Sequence, residues 1–235
     1  MTDTTELPGI LVTGNRRPHG STGGYGGGGG GGANEPTGPQ QNEVSPEEPY
    51  EPYQYDPCDT PQKRLDKAAD SAAAEAVAEI ARLAAAAGED GLNYRERGCY
   101  LFRQSDGSVV RGPIAEGPPF EFGGVGSTPL QYGSNYVGDL IGSVHSHSAG
   151  NHLPSTDPNG RDDFGHFQGM VNAVNNAGGV GAQVRIYITA QRLVGPNGGV
   201  QNVISVYDQS NIAQSVEDQE PGPEVDPNGE ACPPT

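Results

Sequence analysis

The chain has 235 residues, a formal net charge of −17, only 33% hydrophobic residues and no tryptophan. Nucleic acid and anionic membranes repel a protein of this charge, so both are excluded as expected partners. The low apolar content further indicates that a large part of the chain does not pack into a core.

Two terminal regions are predicted to be disordered. Residues 1–59 contain an unbroken glycine run at 26–32, followed by a stretch rich in proline and acid. Neither stretch can bury enough apolar surface to offset the entropy cost of ordering the backbone. Residues 209–235 form an acidic tail without any basic side chain. One folded domain is therefore expected between these regions, over residues 60–208.

The cysteines and the apolar runs predict neither disulfide bonds nor a membrane-spanning segment. Cys58, Cys99 and Cys232 are far apart and show no CxxC spacing, which predicts neither a disulfide framework nor a thiolate zinc site. No apolar run reaches the length of a membrane span, and the N-terminus lacks the features of a cleaved secretory signal. We expect a soluble protein without membrane insertion, cytoplasmic or exported by a specialised route.

A long amphipathic helix is predicted at the start of the domain. Thr60 can cap it, Pro61 suits its first position and Gly88 suits its end. An apolar stripe follows at helical spacing, formed by Leu65, Ala69, Ala72, Ala76, Ile80 and Leu83. This helix is interpreted as scaffold.

The hydrophobic period then changes to that of strands. The sequence YRERGCYLFRQSDGSVVRGPI predicts two strands around a turn at 105–107, before a proline- and glycine-rich loop at 115–134. YVGDLIGSVHSH, residues 136–147, predicts a buried strand. An apolar face at Phe164, Phe167, Met170, Val171 and Val174 then predicts a helix, and two more strands are predicted at 182–193 and 199–208. The predicted fold class is α+β, with one mixed sheet flanked by helices.

Three of the five histidines lie in one short polar segment, IGSVHSHSAGNHLPSTDPNGRDDF, residues 141–164. Side chains two apart on a strand point to the same face, so His145 and His147 are expected to project together. Such a pair of imidazoles suits zinc, and a catalytic zinc needs a third protein ligand and an open position for water. A carboxylate at the start of the next helix would complete this set.

The segment resembles the signature of the JAMM (JAB/MPN-type) zinc metalloproteases. In that signature an HxH pair, seven residues, a serine and then an aspartate three further on follow one another, and here seven residues separate His147 from Ser155. The order of elements is similar as well. The likeness is greatest to an uncharacterised bacterial JAB-like group at the C-terminal ends of Rhs-type polymorphic toxins, in which a strand similar to YRERGCYLF follows an alanine-rich helix. The resemblance covers about residues 65–208.

The sequence departs from this signature at the third ligand. Pro158 stands where the aspartate is expected, Asp157 falls one position short, and Asp162 and Asp163 lie beyond a DPNG turn. Asp163 directly precedes the apolar face of the predicted helix. The aspartate ligand of the family lies at the same position, at the start of its helix. Asp163 is therefore favoured as the ligand, with Asp157 as the alternative. Ser148 also stands where the family usually has proline.

The resemblance implies a role for each site residue. His145, His147 and the aspartate would bind Zn²⁺, Glu96 would act as general base and then general acid, and Ser155 would donate a hydrogen bond to the developing oxyanion. The structural alternatives are a solvated strand glutamate at Glu96 and a loop or capping serine at Ser155.

The two remaining histidines of this region are expected outside the metal ligands. His152 is placed on the loop, where it is weighed as a substrate contact or a weak competitor for the metal. His166 is placed on the helix.

The function implied by the resemblance is that of a zinc-dependent peptidase or isopeptidase acting on a protein or peptide substrate. A secreted toxin-like effector is the context it suggests, with an immunity or carrier protein as a further partner, and LPGILVTGNRRP near the N-terminus is similar to junction segments before such modules. The alternatives are a metal-free JAB-like module for protein interaction and a JAB-like domain with a non-proteolytic metal role.

Overall fold

The structure is a computed structural model. It describes residues 10–12, 58–89, 92, 94–119, 126–128, 139–147, 152–156, 162–194, 199–226, 228–229 and 232. The chain divides into two compact units, one comprising residues 1–14 and 57–235 and the other residues 15–56. All of the described residues belong to the first unit, and most of the predicted N-terminal arm lies outside them.

The described part of the chain is an α+β fold, which confirms the predicted fold class. Its elements are β1 (Ile10–Val12), α1 (Pro61–Ala86), β2 (Arg95–Arg103), β3 (Val109–Arg111), β4 (Ala115–Pro119), β5 (Gly126–Thr128), β6 (Leu140–Ser146), α2 (Asp163–Asn176), a 3₁₀ turn (Gly181–Gln183), β7 (Arg185–Val194), β8 (Gly199–Tyr207) and α3 (Ile212–Asp218). The main sheet has the order β3-β2-β6-β7-β8, with β4 paired to β2, and β1 pairs separately with β5.

Helix α1 covers one face of the sheet, as its alanine stripe predicts. The Thr60 side chain accepts a hydrogen bond from the Lys63 amide, Pro61 begins the helix and Gly88, with φ +69°, follows its end. Small side chains such as Ala73 and Ala76 are fully buried and allow close approach to Val144 and the rest of the sheet. The helix is the scaffold that the sequence predicts.

Helix α2 covers the opposite face of the sheet. Asp162 caps it by accepting a hydrogen bond from the Gly165 amide at 2.7 Å. Its apolar face packs into a core with the inward side chains of the central strands. The buried residues of the helix are Asp163, His166, Phe167, Met170, Val171 and Val174.

The position of the polar segment follows from the topology of β6. All seven residues of this strand are buried, and it pairs antiparallel with β2 and parallel with β7. Parallel neighbours require a crossover, and here helix α2 provides it. The end of β6 and the start of α2 therefore meet at one edge of the sheet, which brings the two ends of the 141–164 segment together.

Three short strands lie where the composition predicted none. The expected loop at 115–134 contains β4 and β5, and β1 lies inside the expected N-terminal arm. Prolines occur in β4, which is tolerated because a strand at the margin of a sheet does not use every amide in the ladder. Proline and glycine content alone therefore underestimated the sheet.

Ordered structure also continues past the predicted boundary at residue 208. Helix α3 lies in the acidic tail, the Val225 amide donates to the Ile204 carbonyl, and Val225 is buried. Cys232 forms a disulfide with Cys58, 174 residues away, so the expectation of no disulfide is wrong for this pair. Such a distant pairing gives no local sequence signal, because only the folded domain brings its two flanks together. Among the described residues no helix is long and apolar enough to cross a membrane.

Candidate metal centre

Two histidines and one aspartate converge at the edge where β6 ends and α2 begins. His145 Nε2 lies 3.0 Å from His147 Nε2 and 3.0 Å from Asp163 Oδ1, and His147 Nε2 lies 3.1 Å from Asp163 Oδ2. All three residues are buried. The ligand atoms of these three residues, called the metal group below, lie close enough together to hold one metal ion.

The donor set and its spacing fit a zinc site. Two imidazoles and one carboxylate are the ligands of a typical three-residue zinc centre, in which a fourth position stays open. Ligand atoms at about 2.0–2.1 Å from a tetrahedral zinc ion lie about 3.3 Å apart. The separations of 3.0–3.1 Å between these nitrogen and oxygen atoms are close to that value.

Asp163 is held in place by the segment that precedes its helix. The Ser155 amide and hydroxyl donate to Asp163 Oδ2 at 2.7 Å and 2.8 Å. Burial alone would raise the pKa of the Asp163 carboxyl, but the adjacent His145 and His147 hold this pKa well below its usual value. Asp163 is therefore a carboxylate, which is the form that binds a cation.

The approach of β2 to the histidine strand depends on a glycine. Gly98 pairs with His145, and a Cβ added to Gly98 would lie 2.6 Å from the Val144 carbonyl oxygen and 2.9 Å from His145 Cβ. Only a residue without a side chain fits this close contact. The glycine in RERGCY thus positions the first histidine of the pair.

The backbone around the second histidine is fixed from both neighbouring strands. The Arg97 amide donates to the Ser146 hydroxyl at 3.0 Å, and the His147 amide donates to the Thr189 carbonyl at 2.8 Å. Ser146, which lies between the two histidines, faces away from the metal group, and its hydroxyl accepts the hydrogen bond from β2. Both histidines consequently leave a rigid strand end.

Glu96 is buried beside the metal group. It is 1% exposed, and its Oε2 has no hydrogen-bond partner among the described residues. Burial raises the pKa of Glu96 to about 8, opposed by His147 and supported by Asp163, which places Glu96 within electrostatic range of both. A solvated strand glutamate does not describe this residue. Perturbed carboxyls of this kind cluster at functional sites.

The sequence did not indicate how the two arginines that flank Glu96 are used. Arg97 is the largest fully buried side chain of the described residues, and its guanidinium pairs with Glu89 at 2.7 Å and with Glu116 at 3.1 Å. Arg95 pairs with Glu89 at 2.7 Å. These pairs anchor β2 on both sides of Glu96 and leave the Glu96 carboxyl to the metal side of the sheet. In the sequence, the alternating charges of YRERG were the one signal that could have indicated these ion pairs.

The other two histidines among the described residues are not members of the group. His152, on the segment before α2, has Nδ1 3.2 Å from the Ser205 hydroxyl, and its carbonyl accepts a hydrogen bond from Tyr207. His166, on α2, packs with its ring centroid 5.8 Å from that of Tyr100. Burial, and then His145, lower the pKa of His166 to about 4 against an opposing effect of Asp163, so this imidazole is uncharged at neutral pH.

The structure thus brings together the three ligands favoured by the sequence and places Glu96 and Ser155 beside them. Asp157, the alternative ligand, and Ser148 lie outside the described residues. Asp162 is the helix cap and not a member of the group. No protein-family model, curated protein or solved structure matches this chain.

Proposed function

We propose that this protein is a zinc-dependent peptidase or isopeptidase that hydrolyses an amide bond in a protein substrate. The observation that carries the proposal is the convergence of His145, His147 and Asp163 beside a buried Glu96. The likeness of the HxH segment to the JAMM signature supports the reaction class, and the Rhs-associated group supports a toxin-like effector as the biological setting.

His145, His147 and Asp163 would hold the ion, and three protein ligands would leave a coordination position for water or substrate. A zinc ion bound there would lower the pKa of its water to about 7 and polarise the carbonyl of the scissile amide. The burial of all three ligands keeps the local dielectric low, which strengthens the attraction between the site and developing negative charge.

Glu96 supplies the proton transfers. Its carboxyl takes a proton from the attacking water and returns it to the amide nitrogen as the C–N bond breaks. A pKa near 8 in the protein without metal places this group near neutral pH, which suits a residue that must both accept and donate. Its Oε2 has no hydrogen-bond partner among the described residues, so this oxygen is available for both transfers.

Ser155 orients the carboxylate ligand. Its hydroxyl donates to Asp163 in the structure, so this proton is committed to the ligand. A role as donor to the oxyanion, which the family resemblance implies, stays a prediction, and it requires the hydroxyl to turn from Asp163 to the substrate during the reaction.

Metal content tests the ligand set. Elemental analysis of purified wild type is expected to give about one zinc per chain, as a site of this type requires. His147→Ala and Asp163→Ala should lose the metal, and Asp157→Ala, the matched control, should keep it. Zinc that is lost in Asp157→Ala but kept in Asp163→Ala would overturn the ligand assignment. A wild type that stays metal-free with added zinc would leave the metal-free interaction module as the function.

Hydrolysis tests the reaction. Zinc-loaded wild type is incubated with a mixed-sequence fluorogenic peptide library and with peptides joined through a lysine side-chain amide. We expect cleavage, and a rate about 10²- to 10⁴-fold lower for Glu96→Gln with zinc retained. Cleavage by Glu96→Gln at the wild-type rate would remove Glu96 from the mechanism. A zinc-loaded wild type that cleaves neither substrate class would favour a non-proteolytic metal role.

A further inference from the structure

Two buried imidazole nitrogens next to the metal group have no hydrogen-bond partner among the described residues. They are His145 Nδ1 and His166 Nε2. His145 is fully buried and His166 is 6% exposed. A buried polar nitrogen without a partner costs free energy, so two of them at one site need a physical explanation.

The first nitrogen must carry a proton when the metal is bound. His145 directs Nε2 toward His147 and Asp163, so the lone pair used for the metal is that of Nε2. A neutral imidazole has one protonated nitrogen, which is then Nδ1. Metal-binding histidines almost always donate this second N–H to an acceptor, and the acceptor fixes the tautomer and the ring orientation.

The second nitrogen belongs to a residue on the same face of the sheet as His145. His166 lies three residues after Asp163 on α2, and the two therefore share one face of the helix. Its ring packs against Tyr100, whose partner on β6 is Ser143, two residues before His145 on the same face. The β2 residue opposite His145 is Gly98, so β2 places no side chain between the two imidazoles.

A third buried polar atom lies on the same face. Ser143 is fully buried, and its hydroxyl also has no hydrogen-bond partner among the described residues. A buried water molecule typically makes about three hydrogen bonds to such groups. The imidazole N–H, the imidazole acceptor and the hydroxyl together supply that number.

We propose that His166 is a positioning residue for the metal ligand His145. It accepts the Nδ1–H of His145 through one buried water molecule that the Ser143 hydroxyl also contacts. This link holds His145 in the tautomer that presents Nε2 to the metal and fixes the plane of its ring. The inference rests on the metal site of the proposed function, but not on its peptidase chemistry.

A purely structural role for His166 predicts something different. Packing against Tyr100 needs only a ring of similar size, so a phenylalanine would serve equally well and metal binding would be unaffected. A positioning role needs the acceptor nitrogen. Phenylalanine keeps the ring but lacks the acceptor, and glutamine keeps an acceptor but lacks the ring. These two substitutions of His166 therefore distinguish the positioning role from the structural role.

The test measures zinc affinity of the full-length protein by competition with a chelator. His166→Phe keeps the ring and removes the acceptor, His166→Gln restores a polar side chain, and Val174→Ala, buried on the same helix, is the control for a general loss of stability. We expect His166→Phe to weaken zinc binding about 10- to 100-fold, His166→Gln to recover most of the loss, and Val174→Ala to bind zinc as the wild type does.

A spectroscopic signal accompanies the affinity. The His145 ring proton on Nδ1 should be protected from exchange and visible by NMR in zinc-loaded wild type, and it should be lost in His166→Phe. Wild-type zinc affinity in His166→Phe, with the ring proton still visible, would overturn the inference. Equal loss of affinity in Val174→Ala would also overturn it, since general destabilisation would then suffice.

The outcomes separate this inference from the proposed function. If His166→Phe weakens zinc binding as expected but the wild type cleaves no substrate, the inference is supported and the peptidase function is contradicted. A wild type that cleaves substrate but is insensitive to His166→Phe would contradict the inference alone. A wild type that binds no zinc would overturn both.

Discussion

Asp163 Oδ2 accepts two hydrogen bonds from Ser155, at 2.7 Å from its amide and 2.8 Å from its hydroxyl, and lies 3.1 Å from His147 Nε2. Because the hydroxyl orients the ligand, we expect Ser155→Ala to weaken zinc binding about 10- to 100-fold, while Ser155→Thr, which keeps a hydroxyl, stays near wild type. Chelator competition measures both variants. Equal affinities for wild type and Ser155→Ala would show that the amide alone orients Asp163.

The contact between Gly98 and His145 predicts an unusually costly alanine substitution. The new Cβ of Gly98→Ala would lie 2.6 Å from a backbone oxygen that cannot move independently, so β2 must shift away from β6. We expect a loss of about 1–3 kcal/mol in the free energy of unfolding and weaker zinc binding.

Gly169 provides the matched control for this substitution. A Cβ at this helical position meets nothing within 4 Å, so Gly169→Ala should be neutral or stabilising by up to about 1 kcal/mol. Urea denaturation of the two variants measures the difference. A stability of Gly98→Ala equal to that of Gly169→Ala would contradict the close packing described for β2 and β6.

The buried Glu96 carboxyl predicts a pH dependence of stability in the metal-free protein. Its pKa is raised from 4.5 in the unfolded chain to about 8, so the folded state holds a proton that the unfolded state releases between these values. The stabilising proton is fully present below pH 4.5 and lost as the pH rises through 8. Stability should therefore fall over this window, at up to about 1.4 kcal/mol per pH unit from this group.

Glu96→Gln removes this titration and should remove that part of the slope. Urea denaturation at several pH values, with a chelator present, compares the two proteins. A Glu96→Gln variant whose stability falls as steeply as that of wild type would assign the slope to other groups.

The buried pair of Arg97 and Glu89 predicts loss of stability when one partner is removed. Their atoms lie 2.7 Å apart and the Arg97 side chain is 1% exposed, so Glu89→Gln leaves the buried guanidinium with the more exposed Glu116 as its remaining ion-pair partner among the described residues. The cost is expected to be up to about 3 kcal/mol, the lower end of the range for a fully orphaned buried charge. Glu79→Gln, which breaks an exposed pair with Arg82, is the control and should change stability little.

The same pair predicts sensitivity to acid. Burial would raise the pKa of Glu89, but hydrogen bonds and charge from Arg97 and then Arg95 lower it. The stability it contributes is present above 4.5, the ordinary pKa of a glutamate, and is lost as the pH falls through the lower value of the folded state. Glu89→Gln should therefore reduce the acid dependence of unfolding, and thermal melts from pH 5 to pH 2 check this. An unchanged acid dependence would contradict the direction of the shift.

The part of the site that follows a strand or helix period was predictable from the sequence. His145 and His147 are two apart on a strand, and Asp163 opens a helix with an apolar face, so periodicity alone placed each on its element. The choice between Asp163 and Asp157 as the third ligand depended on the residue at which that helix was predicted to begin. Their convergence depends on the β6–α2–β7 crossover, which no local pattern encodes.

The parts that were missed depend on contacts between distant residues. Arg97 is buried against Glu89 and Glu116, although isolated arginines are mostly exposed. The acidic composition after 208 concealed Val225, whose burial depends on β8 being in place. Composition describes the average behaviour of a segment, and it cannot detect the one side chain that another element covers.

The Cys58–Cys232 disulfide turns the folded unit into a covalently closed loop. A peptide bond broken anywhere between these two cysteines would leave both fragments joined, and a cut protein would migrate as one species on a non-reducing gel. A cut before Cys58 would instead give an N-terminal fragment that contains no cysteine and migrates separately on the same gel. If this protein cleaves its own chain, comparison of reduced and non-reduced samples therefore locates the cut on one side of Cys58 or the other.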